Sequence, residues 1–297
     1  MQVLVAGGTG FIGRHLCSEL TDRGHDVTAL ARNPESDAVP EGVETAMSDV
    51  TAYDSMVGAF DGMDAVVNLV ALSPLFEPSG GNEAHDRIHR GGTKNCLRAA
   101  GEHDVDRFVQ LSALGADPEG ETHYIRAKGR AEQLVRESSL AWTIFRPSVV
   151  FGDGDEFLGF TRKLTPPVLA PLPGGGRTRF QPIHVDDLVS MLADTLEDED
   201  HVGQTYEIGG PEVLTLAEVA RLVREARGQS VRILPVPMPL AGVGLTIAGA
   251  IPGVPMGPDQ YRSLRFDNTT DDNDIEAFGF TTEKLTTLRE YLELDEE

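Results

Sequence analysis

Short apolar runs alternate with amphipathic stretches through the first half of the chain. The apolar runs are rich in β-branched and aliphatic residues, which is typical of strands buried inside a parallel sheet. The amphipathic stretches between them are typical of the helices that connect such strands. The pattern predicts strands at residues 2–6, 26–31, 43–47, 65–70, 107–112 and 142–146, and helices at residues 11–23, 55–60, 82–102 and 122–138.

The alternation becomes looser after Pro147. Residues 166–176 are rich in glycine and proline, and this composition predicts a loop. The pattern then predicts strands at residues 179–183, 204–208 and 231–234, and helices at residues 185–196 and 216–227. These elements indicate a smaller C-terminal region that covers the first one.

A stretch without any charged side chain extends over residues 233–258. Prolines at positions 235, 237, 239, 252 and 255 interrupt it and leave only residues 240–251, from Leu240 at one end to Ile251 at the other, free to form a helix. A transmembrane helix needs about 20 apolar residues, so this segment is too short to span a bilayer. Three interpretations stay open: a buried helix, a wall for an apolar substrate, or a patch that faces a membrane or a partner.

A glycine-rich loop follows the first strand and opens the first helix, with the sequence Gly7-Gly8-Thr9-Gly10-Phe11-Ile12-Gly13. Gly7 allows a sharp turn, Gly10 lets the backbone approach a pyrophosphate, and Gly13 lets the helix pack closely on the sheet. The free N–H groups and the positive end of the helix then favour the pyrophosphate. We therefore predict that this loop binds a nicotinamide dinucleotide through Gly7, Thr9, Gly10, Phe11, Ile12 and Gly13.

Strand, glycine loop and helix together predict the Rossmann fold, an α/β architecture with a doubly wound parallel sheet. Residues 1–150 are expected to form this NAD(P)-binding domain, with some later segments returning to it. Residues 151–297 are expected to form a smaller α/β region for the substrate.

The end of the second strand bears on the choice between NAD and NADP. An acidic residue there hydrogen-bonds a ribose 2′-hydroxyl, whereas an arginine accommodates a 2′-phosphate. The chain has Arg32 after Ala31 and no carboxylate at the strand end, and Arg14 is close enough in sequence to reach the same phosphate. We predict NADP as the preferred cofactor, with NAD as the alternative.

Tyr124 and Lys128 are four residues apart in a predicted helix, so they share one face. Ser112 ends the preceding predicted strand at its carboxyl edge, where open α/β sheets bind ligands. A phenol ionises near pH 10, and a neighbouring ammonium favours its charged form. We predict that Tyr124 transfers the proton, that Lys128 holds the nicotinamide ribose and lowers the pKa of Tyr124, and that Ser112 hydrogen-bonds the substrate carbonyl.

The acidic composition narrows the range of partners. The chain has 48 acidic and 25 basic residues, for a net charge of −23, and only four of the basic residues are lysines. Because acidic residues are spread along the whole chain, we expect no nucleic-acid partner. A protein with many dispersed acidic residues and few lysines is also suited to a cytoplasm of molar salt, because salt screens the repulsion between its carboxylates. We therefore hypothesise a halophilic source.

The N-terminal residues run directly into a strand without the basic and apolar regions of a signal peptide, which predicts a cytoplasmic protein. Cys17 and Cys96 lie in apolar-periodic segments, which predicts two buried thiols. The eight histidines show no metal-ligand spacing, so we expect no structural metal.

Further motifs accompany the glycine loop and Tyr124-x-x-x-Lys128. They are Asp49-Val50, Asn68-Leu69-Val70-Ala71, Gly92-Thr93, Arg146-Pro147-Ser148-Val149-Val150-Phe151-Gly152, Pro182-Ile183-His184-Val185-Asp186-Asp187 and Tyr206-Glu207-Ile208-Gly209-Gly210. With them the chain resembles the extended and atypical short-chain dehydrogenases/reductases, the NAD-dependent epimerase/dehydratase family. The resemblance implies that Asp49 and Val50 contact the adenine and that Val70 and Ala71 line the cofactor. It also places Pro147, Val149 and Val150 beside the nicotinamide.

Within this family, the short distance from Ser112 to Tyr124 is similar to the branch that contains the dehydrogenase-like accessory subunit of respiratory complex I. Sugar-nucleotide epimerases usually have a longer separation, and they carry Asn where this chain has His89. Two main interpretations follow. One is an active oxidoreductase or epimerase/dehydratase that acts on a small or apolar carbonyl or alcohol.

The other is a weakly catalytic or non-catalytic dinucleotide-binding subunit. It would attach to a respiratory or membrane-associated partner through residues 240–251 and lie at the inner face of the cell membrane. A redox-sensing regulator is a third interpretation, which no nucleic-acid module supports. The resemblance also leaves open a homodimer, because members of this superfamily often pair through two long helices of the first domain.

Overall fold

A computed structural model describes residues 1–34, 39–249 and 257–295, and it describes only the backbone of residues 243 and 245–249. The strands are β1 Gln2–Ala6, β2 Asp26–Ala31, β3 Glu44–Met47, β4 Ala65–Asn68, β5 Arg107–Leu111, β6 Ala141–Pro147, β7 Val150–Phe151, β8 Val168–Pro173, β9 Arg179–Phe180, β10 Ile183–His184, β11 Thr205–Ile208, β12 Leu214–Thr215 and β13 Val231–Val236.

The helices are α1 Phe11–Asp22, α2 Tyr53–Met56, α3 Glu83–His85, α4 Gly92–Glu102, α5 His123–Arg136, α6 Phe157–Leu164, α7 Val185–Glu197, α8 Leu216–Glu225, α9 Met238–Gly249, α10 Pro258–Ser263 and α11 Leu288–Tyr291. Short 3-10 turns occur at Val57–Phe60, Glu199–His201, Asp274–Phe278 and Thr282–Lys284, and a π-helical turn occurs at Asp86–Gly91.

Seven strands form one sheet in the order β11-β6-β5-β4-β1-β2-β3. The pairs β1–β2, β2–β3, β1–β4, β4–β5 and β5–β6 are all parallel. The strand order reverses between β1 and β4, and such a reversal opens a crevice at the carboxyl ends of the strands. The predicted Rossmann fold with its doubly wound parallel sheet is therefore confirmed.

The central strands supply the core of this sheet. Leu4 of β1, Val66 of β4 and Phe108 of β5 are fully buried, as expected for strands covered on both faces. Cys96 of α4 is buried in the same core cluster as these three residues, and Cys17 of the amphipathic helix α1 is also buried. Both thiols are free, and burial raises the pKa of each to about 12, so the prediction of two buried thiols is confirmed.

The chain divides into two compact units that interleave in sequence. The first, which we call the Rossmann unit, comprises residues 1–72, 82–146 and 185–206. The second unit comprises residues 73–81, 147–184 and 207–297. Within the Rossmann unit, Arg23 at the end of α1 donates to Asp194 of α7 at 2.6 Å. A late segment of the sequence thus returns to the first unit.

Several predicted elements differ from the observed ones. The predicted helix at residues 55–60 is α2 followed by the 3-10 turn Val57–Phe60, and the predicted strand at residues 179–183 is divided into β9 and β10. Residues 166–176 are not a continuous loop, because they contain β8, which pairs in parallel with β13. Pro171 and Pro173 are tolerated in β8, since each strand of a two-stranded sheet has an unpaired edge. The predicted helix at residues 82–102 is also interrupted, because the π-helical turn Asp86–Gly91 separates α3 from α4.

The apolar segment at residues 240–251 falls mostly in α9, which ends at Gly249, and residues 250 and 251 lie outside the described part of the chain. Leu240 is 63% exposed, whereas Ala241 is buried. Among the described residues, no helix combines the length and the apolar character that crossing a membrane requires.

Candidate functional site

The glycine loop joins β1 to α1 in a tight conformation. Gly7 has a φ of +86°, and its N–H donates to the Leu30 carbonyl of β2 at 2.8 Å. A Cβ on Gly13 would lie 2.2 Å from the Gly7 carbonyl oxygen, so a larger residue there would push α1 off the loop. The predicted roles of Gly7 in the turn and of Gly13 in packing are therefore supported by the geometry.

Gly8 is a steric requirement that the sequence analysis did not assign. A Cβ on Gly8 would lie 2.6 Å from the Cβ of Ala29 in the neighbouring strand β2. No motif position signals this contact, because it depends on how closely β2 lies beside the loop.

The start of α1 suits a bound anion. Gly10 is the N-cap residue, no side chain caps the helix, and no acidic residue occupies its first turn. Gly10 is exposed, and a Cβ there would meet only the Gly7 carbonyl oxygen, at 3.2 Å. The open glycine surface and the N–H groups at the helix start therefore fit the pyrophosphate of a dinucleotide, with Thr9, Phe11 and Ile12 half-buried around it.

Asp49 and Arg32 carry opposite charges near the carboxyl ends of β2 and β3. The Asp49 carboxylate accepts the backbone N–H and the hydroxyl of Thr51, both at 2.8 Å. These hydrogen bonds, assisted by the charges of Arg32 and Arg87, lower the pKa of Asp49. Arg32 is exposed, as is Arg87, a basic residue that the sequence analysis did not assign to the site.

Val50 is buried beside Asp49 and packs closely on α4. Its Cγ2 would lie 2.9 Å from a Cβ on Gly92, which explains the glycine at the start of that helix. The Val50 carbonyl also accepts a hydrogen bond from the Asn95 side chain of α4 at 2.8 Å. Val50 is thus held rigidly, as a wall of a binding site requires.

A buried amide network joins the carboxyl ends of β4 and β5. The Asn68 side chain accepts the N–H of Val70 at 3.3 Å and donates to the Gln110 side-chain oxygen at 2.9 Å. Gln110 in turn donates to the Leu111 carbonyl at 3.1 Å. This network fixes the backbone of Val70, which is half-buried, just before Ala71, which is exposed.

Tyr124 and Lys128 lie on one face of α5, as predicted. Lys128 is 1% exposed, and its Nζ donates to the Leu111 carbonyl at the end of β5 at 2.8 Å. The same Nζ lies 5.8 Å from the centre of the Tyr124 ring. The ammonium is therefore held between the end of a central strand and the phenol.

Burial shifts the pKa of both Lys128 and Tyr124. It lowers the pKa of Lys128 to about 8, against the opposing effect of the Glu132 charge. It also raises the pKa of Tyr124, so in this structure burial outweighs the lowering that we expected from the ammonium. Tyr124 is consequently a neutral phenol at physiological pH, which is the form that donates a proton.

Ser112 lies at the end of β5, but its hydroxyl points to a carboxylate. Its Oγ donates at 2.5 Å to Glu132, a residue that the sequence analysis did not assign to the site. Polarising a substrate carbonyl would require the hydroxyl to rotate away from Glu132, so the role predicted for Ser112 stays a prediction. The only sequence signal for Glu132 was an acidic residue on the face of α5 that carries Tyr124 and Lys128.

Two histidines surround Tyr124 from the π-helical turn and the residue before it. The rings of His85 and His89 lie 5.7 and 5.3 Å from the Tyr124 ring, both edge to face. His89 Nε2 accepts the N–H of Leu72 at 3.3 Å. Burial, with smaller contributions from Lys128 and His85, lowers the pKa of His89 well below its usual value, so His89 is neutral.

Pro147, Val149 and Val150 belong to the second unit. There, Asn268 accepts the Val149 N–H at 3.0 Å, and Val150 pairs with Ile183 in the short β7–β10 sheet. The expected position of these three residues beside the nicotinamide stays a prediction.

The fold and the glycine loop define a nicotinamide-dinucleotide-binding protein. Residues 7–165 match the family described as NAD(P)H-binding, and the chain belongs to that family. The sequence is 30% identical over 249 residues to the mitochondrial NADH dehydrogenase (ubiquinone) 1 alpha subcomplex subunit 9 of Arabidopsis thaliana. That alignment covers 80% of this chain but only 60% of the plant protein.

The chain is also similar in sequence to one enzyme and in fold to another. The chain is 30% identical to a 3 beta-hydroxysteroid dehydrogenase/Delta 5→4-isomerase of Mycobacterium tuberculosis, over 77% of this chain and 70% of that protein. The structure is similar to that of the UDP-glucose 4-epimerase of Thermus thermophilus, solved in complex with NAD. The TM-score is 0.68 at 24% identity, with 88% of this chain and 99% of the epimerase covered. The family resemblance drawn from the sequence, including its complex I branch, is confirmed.

Proposed function

We propose that this chain is an NAD(P)-dependent oxidoreductase, or an epimerase/dehydratase-like enzyme, that acts on a small or apolar carbonyl or alcohol substrate. One observation carries the proposal: Lys128 and Tyr124 share a face of α5, and the Lys128 ammonium is held at the carboxyl end of β5. That edge of the sheet, in the unit that also holds the glycine loop, is where doubly wound folds bind ligands.

A bound dinucleotide supplies or accepts the hydride. In the direction of reduction, Tyr124 donates its phenolic proton to the substrate oxygen as the carbonyl carbon gains the hydride, and an alcohol forms. The ammonium of Lys128 stabilises the phenolate until Tyr124 regains a proton from solvent. Because burial keeps Tyr124 protonated, the free protein already carries the proton that reduction consumes.

The test of this mechanism is the Tyr124→Phe variant, with Tyr53→Phe as the matched control. Tyr53 lies on α2 and hydrogen-bonds to Glu102, away from the pair. We expect Tyr124→Phe to lower turnover by about 10²–10⁴-fold, since general acid catalysis contributes that much. The affinity for the dinucleotide should change little, and Tyr53→Phe should stay active. Full turnover in Tyr124→Phe would reject the mechanism.

For the cofactor, we propose a preference for NADP over NAD. The exposed Arg32 at the end of β2 supports it, because its guanidinium is available to a 2′-phosphate and no carboxylate occupies the strand end. Arg32→Gln should weaken NADPH binding about tenfold or more and leave NADH binding nearly unchanged, since hydrogen bonds to charged groups contribute about 1.5–3 kcal/mol.

The matched control for that experiment is Arg98→Gln, which removes an equal charge from α4, where Arg98 pairs with Glu102. It should change neither affinity. Equal affinities of the wild-type protein for NADPH and NADH, unchanged in Arg32→Gln, would contradict the NADP preference.

The similarity to the plant complex I subunit favours a second candidate function. In this alternative the chain is a dinucleotide-binding accessory subunit of a respiratory NADH dehydrogenase-type complex, with low or no turnover. The exposed Leu240 of α9 is the described residue at which we expect such a partner to bind. Co-migration of the native protein with NADH dehydrogenase activity on native gels of solubilised membranes would support it, and recovery of the protein only from the soluble fraction would reject it.

A further inference from the structure

Glu132 of α5 is a carboxylate in the interior of the Rossmann unit, with 1% of its surface exposed. One oxygen accepts the Ser112 hydroxyl at 2.5 Å and the Nε of Arg146 at 2.9 Å. The other accepts Nη2 of Arg146 at 2.7 Å and Nη2 of Arg136 at 2.9 Å. A buried charge is strongly unfavourable without such partners, so these four hydrogen bonds stabilise the Glu132 carboxylate.

The position of Glu132 on α5 links it to the catalytic pair. Tyr124, Lys128 and Glu132 are spaced four residues apart, so all three lie along one face of the helix. Side chains four residues apart on a helix are neighbours, with about 5–6 Å between their Cβ atoms. The negative charge of Glu132 thus lies on the helix face that carries Lys128, and it raises the pKa of Lys128 against the effect of burial.

The other described groups around Lys128, which are named below, do not add a second negative charge. Tyr124 and His89 are neutral at physiological pH, because burial raises the pKa of the first and lowers that of the second. His85 contacts His89 and Tyr124 from the π-helical side of the site. Arg146 and Arg136 are cations bound to Glu132 itself.

We propose that Glu132 is a positioning residue of the active site: anchored by Arg146, Arg136 and the Ser112 hydroxyl, it holds Lys128 in its charged form. This inference rests on the proposed function, because it assigns a device to the same Tyr124–Lys128 pair. It concerns a protonation state of the resting protein, so it is tested without measuring turnover.

The experiment is an NMR titration of the protein labelled with ¹³Cε-lysine. The chain has only four lysines, so the Lys128 signal is identified by its loss in Lys128→Met. Glu132→Gln should lower the pKa of Lys128, because a nearby opposite charge raises the pKa of an ammonium. Arg136→Gln is the matched control, since it removes a cation bound to the same carboxylate and should raise the pKa of Lys128.

A folded Glu132→Gln protein with an unchanged Lys128 titration would overturn the proposal. So would an Arg136→Gln variant that lowers the pKa of Lys128 as much as Glu132→Gln, because general loosening of the site would then explain both. If Glu132→Gln does not fold, Arg136→Gln alone decides: a rise in the pKa supports the proposal, and no change overturns it.

Dinucleotide binding gives a second readout. When the pH is above the pKa of an amine, the charged fraction falls about tenfold for each unit by which that pKa is lowered. In Glu132→Gln the affinity for NADPH should therefore decline at a lower pH than in the wild-type protein, with equal affinities at acidic pH. Weaker binding by the same factor at every pH would indicate a structural role alone and would overturn the proposal.

Discussion

Lys128 is the residue at which stability and function conflict most directly. A side chain with a pKa of 10.5 in the unfolded chain has a pKa of about 8 in the folded protein. Below pH 8 the folded chain therefore buries an ammonium that the unfolded chain keeps in water. Between these two pKa values the unfolded state binds more protons than the folded state. The free energy of unfolding therefore increases as the pH rises from 8 to 10.5.

We predict that Lys128→Met melts several degrees above the wild-type protein at pH 7, since 1 kcal/mol corresponds to about 2–4 °C in large domains. The gain should disappear near pH 10.5. The Leu111 carbonyl remains satisfied in the variant, because Gln110 also donates to it. Thermal melts across this pH range check the prediction, with the exposed Lys94→Met as the control. A gain that does not depend on pH would contradict it.

Among the elements, α5 carries the catalytic pair and begins with a buried cap. Thr122 is 1% exposed, and its hydroxyl accepts the N–H of Ile125 at 3.2 Å. Loss of a threonine cap costs about 1 kcal/mol and frays the first turn, in which Tyr124 lies. Thr122→Ala should therefore lower both the melting temperature and the turnover number.

The control for this prediction is Thr215→Ala, which removes an equivalent cap from α8 in the second unit. It should lower the melting temperature by a similar amount, roughly 2–4 °C, and leave turnover close to that of the wild-type protein. Equal losses of turnover in both variants would show that the start of α5 has no special role.

The elements that the sequence predicted are those with a local signal. The glycine loop, the central strands and the Tyr124–Lys128 pair each depend on spacing within one short segment. Glu132 depends on long-range contacts: Ser112 lies 20 residues before it and Arg146 lies 14 residues after it. The hydrophobic periodicity of a sequence does not predict such contacts. The hydrogen bonds of Glu132 were therefore found only in the structure.

Among the elements that escaped prediction, β8 and the π-helical turn did so for different physical reasons. The prolines of β8 favour a loop by propensity, but pairing with β13 more than 60 residues later overrides that preference. The residues on either side of the π-helical turn Asp86–Gly91 have helical dihedral angles, and the sequence pattern predicts one continuous helix there. The turn brings His89 against Tyr124, which local propensity does not predict.

For the whole molecule, the net charge of −23 is the dominant property. The Debye length falls from about 10 Å at 0.1 M salt to about 3 Å at 1 M, so repulsion between dispersed carboxylates is largely screened at high salt. We predict that the melting temperature rises between dilute buffer and molar KCl. Sucrose at matched water activity is the control and should raise it less. Cooperative unfolding at the same temperature in both salt conditions would contradict the halophilic hypothesis.

The central claim is that the glycine loop binds a nicotinamide dinucleotide. The most direct measurement is a titration of NADPH fluorescence in molar KCl with the wild-type protein, Gly13→Ala and Gly101→Ala. A Cβ on Gly101 meets open space, whereas one on Gly13 would contact the Gly7 carbonyl. We predict saturable binding of one equivalent by the wild-type protein and Gly101→Ala, and loss of binding in Gly13→Ala. No binding by the wild-type protein, or undiminished binding by Gly13→Ala, would contradict the account.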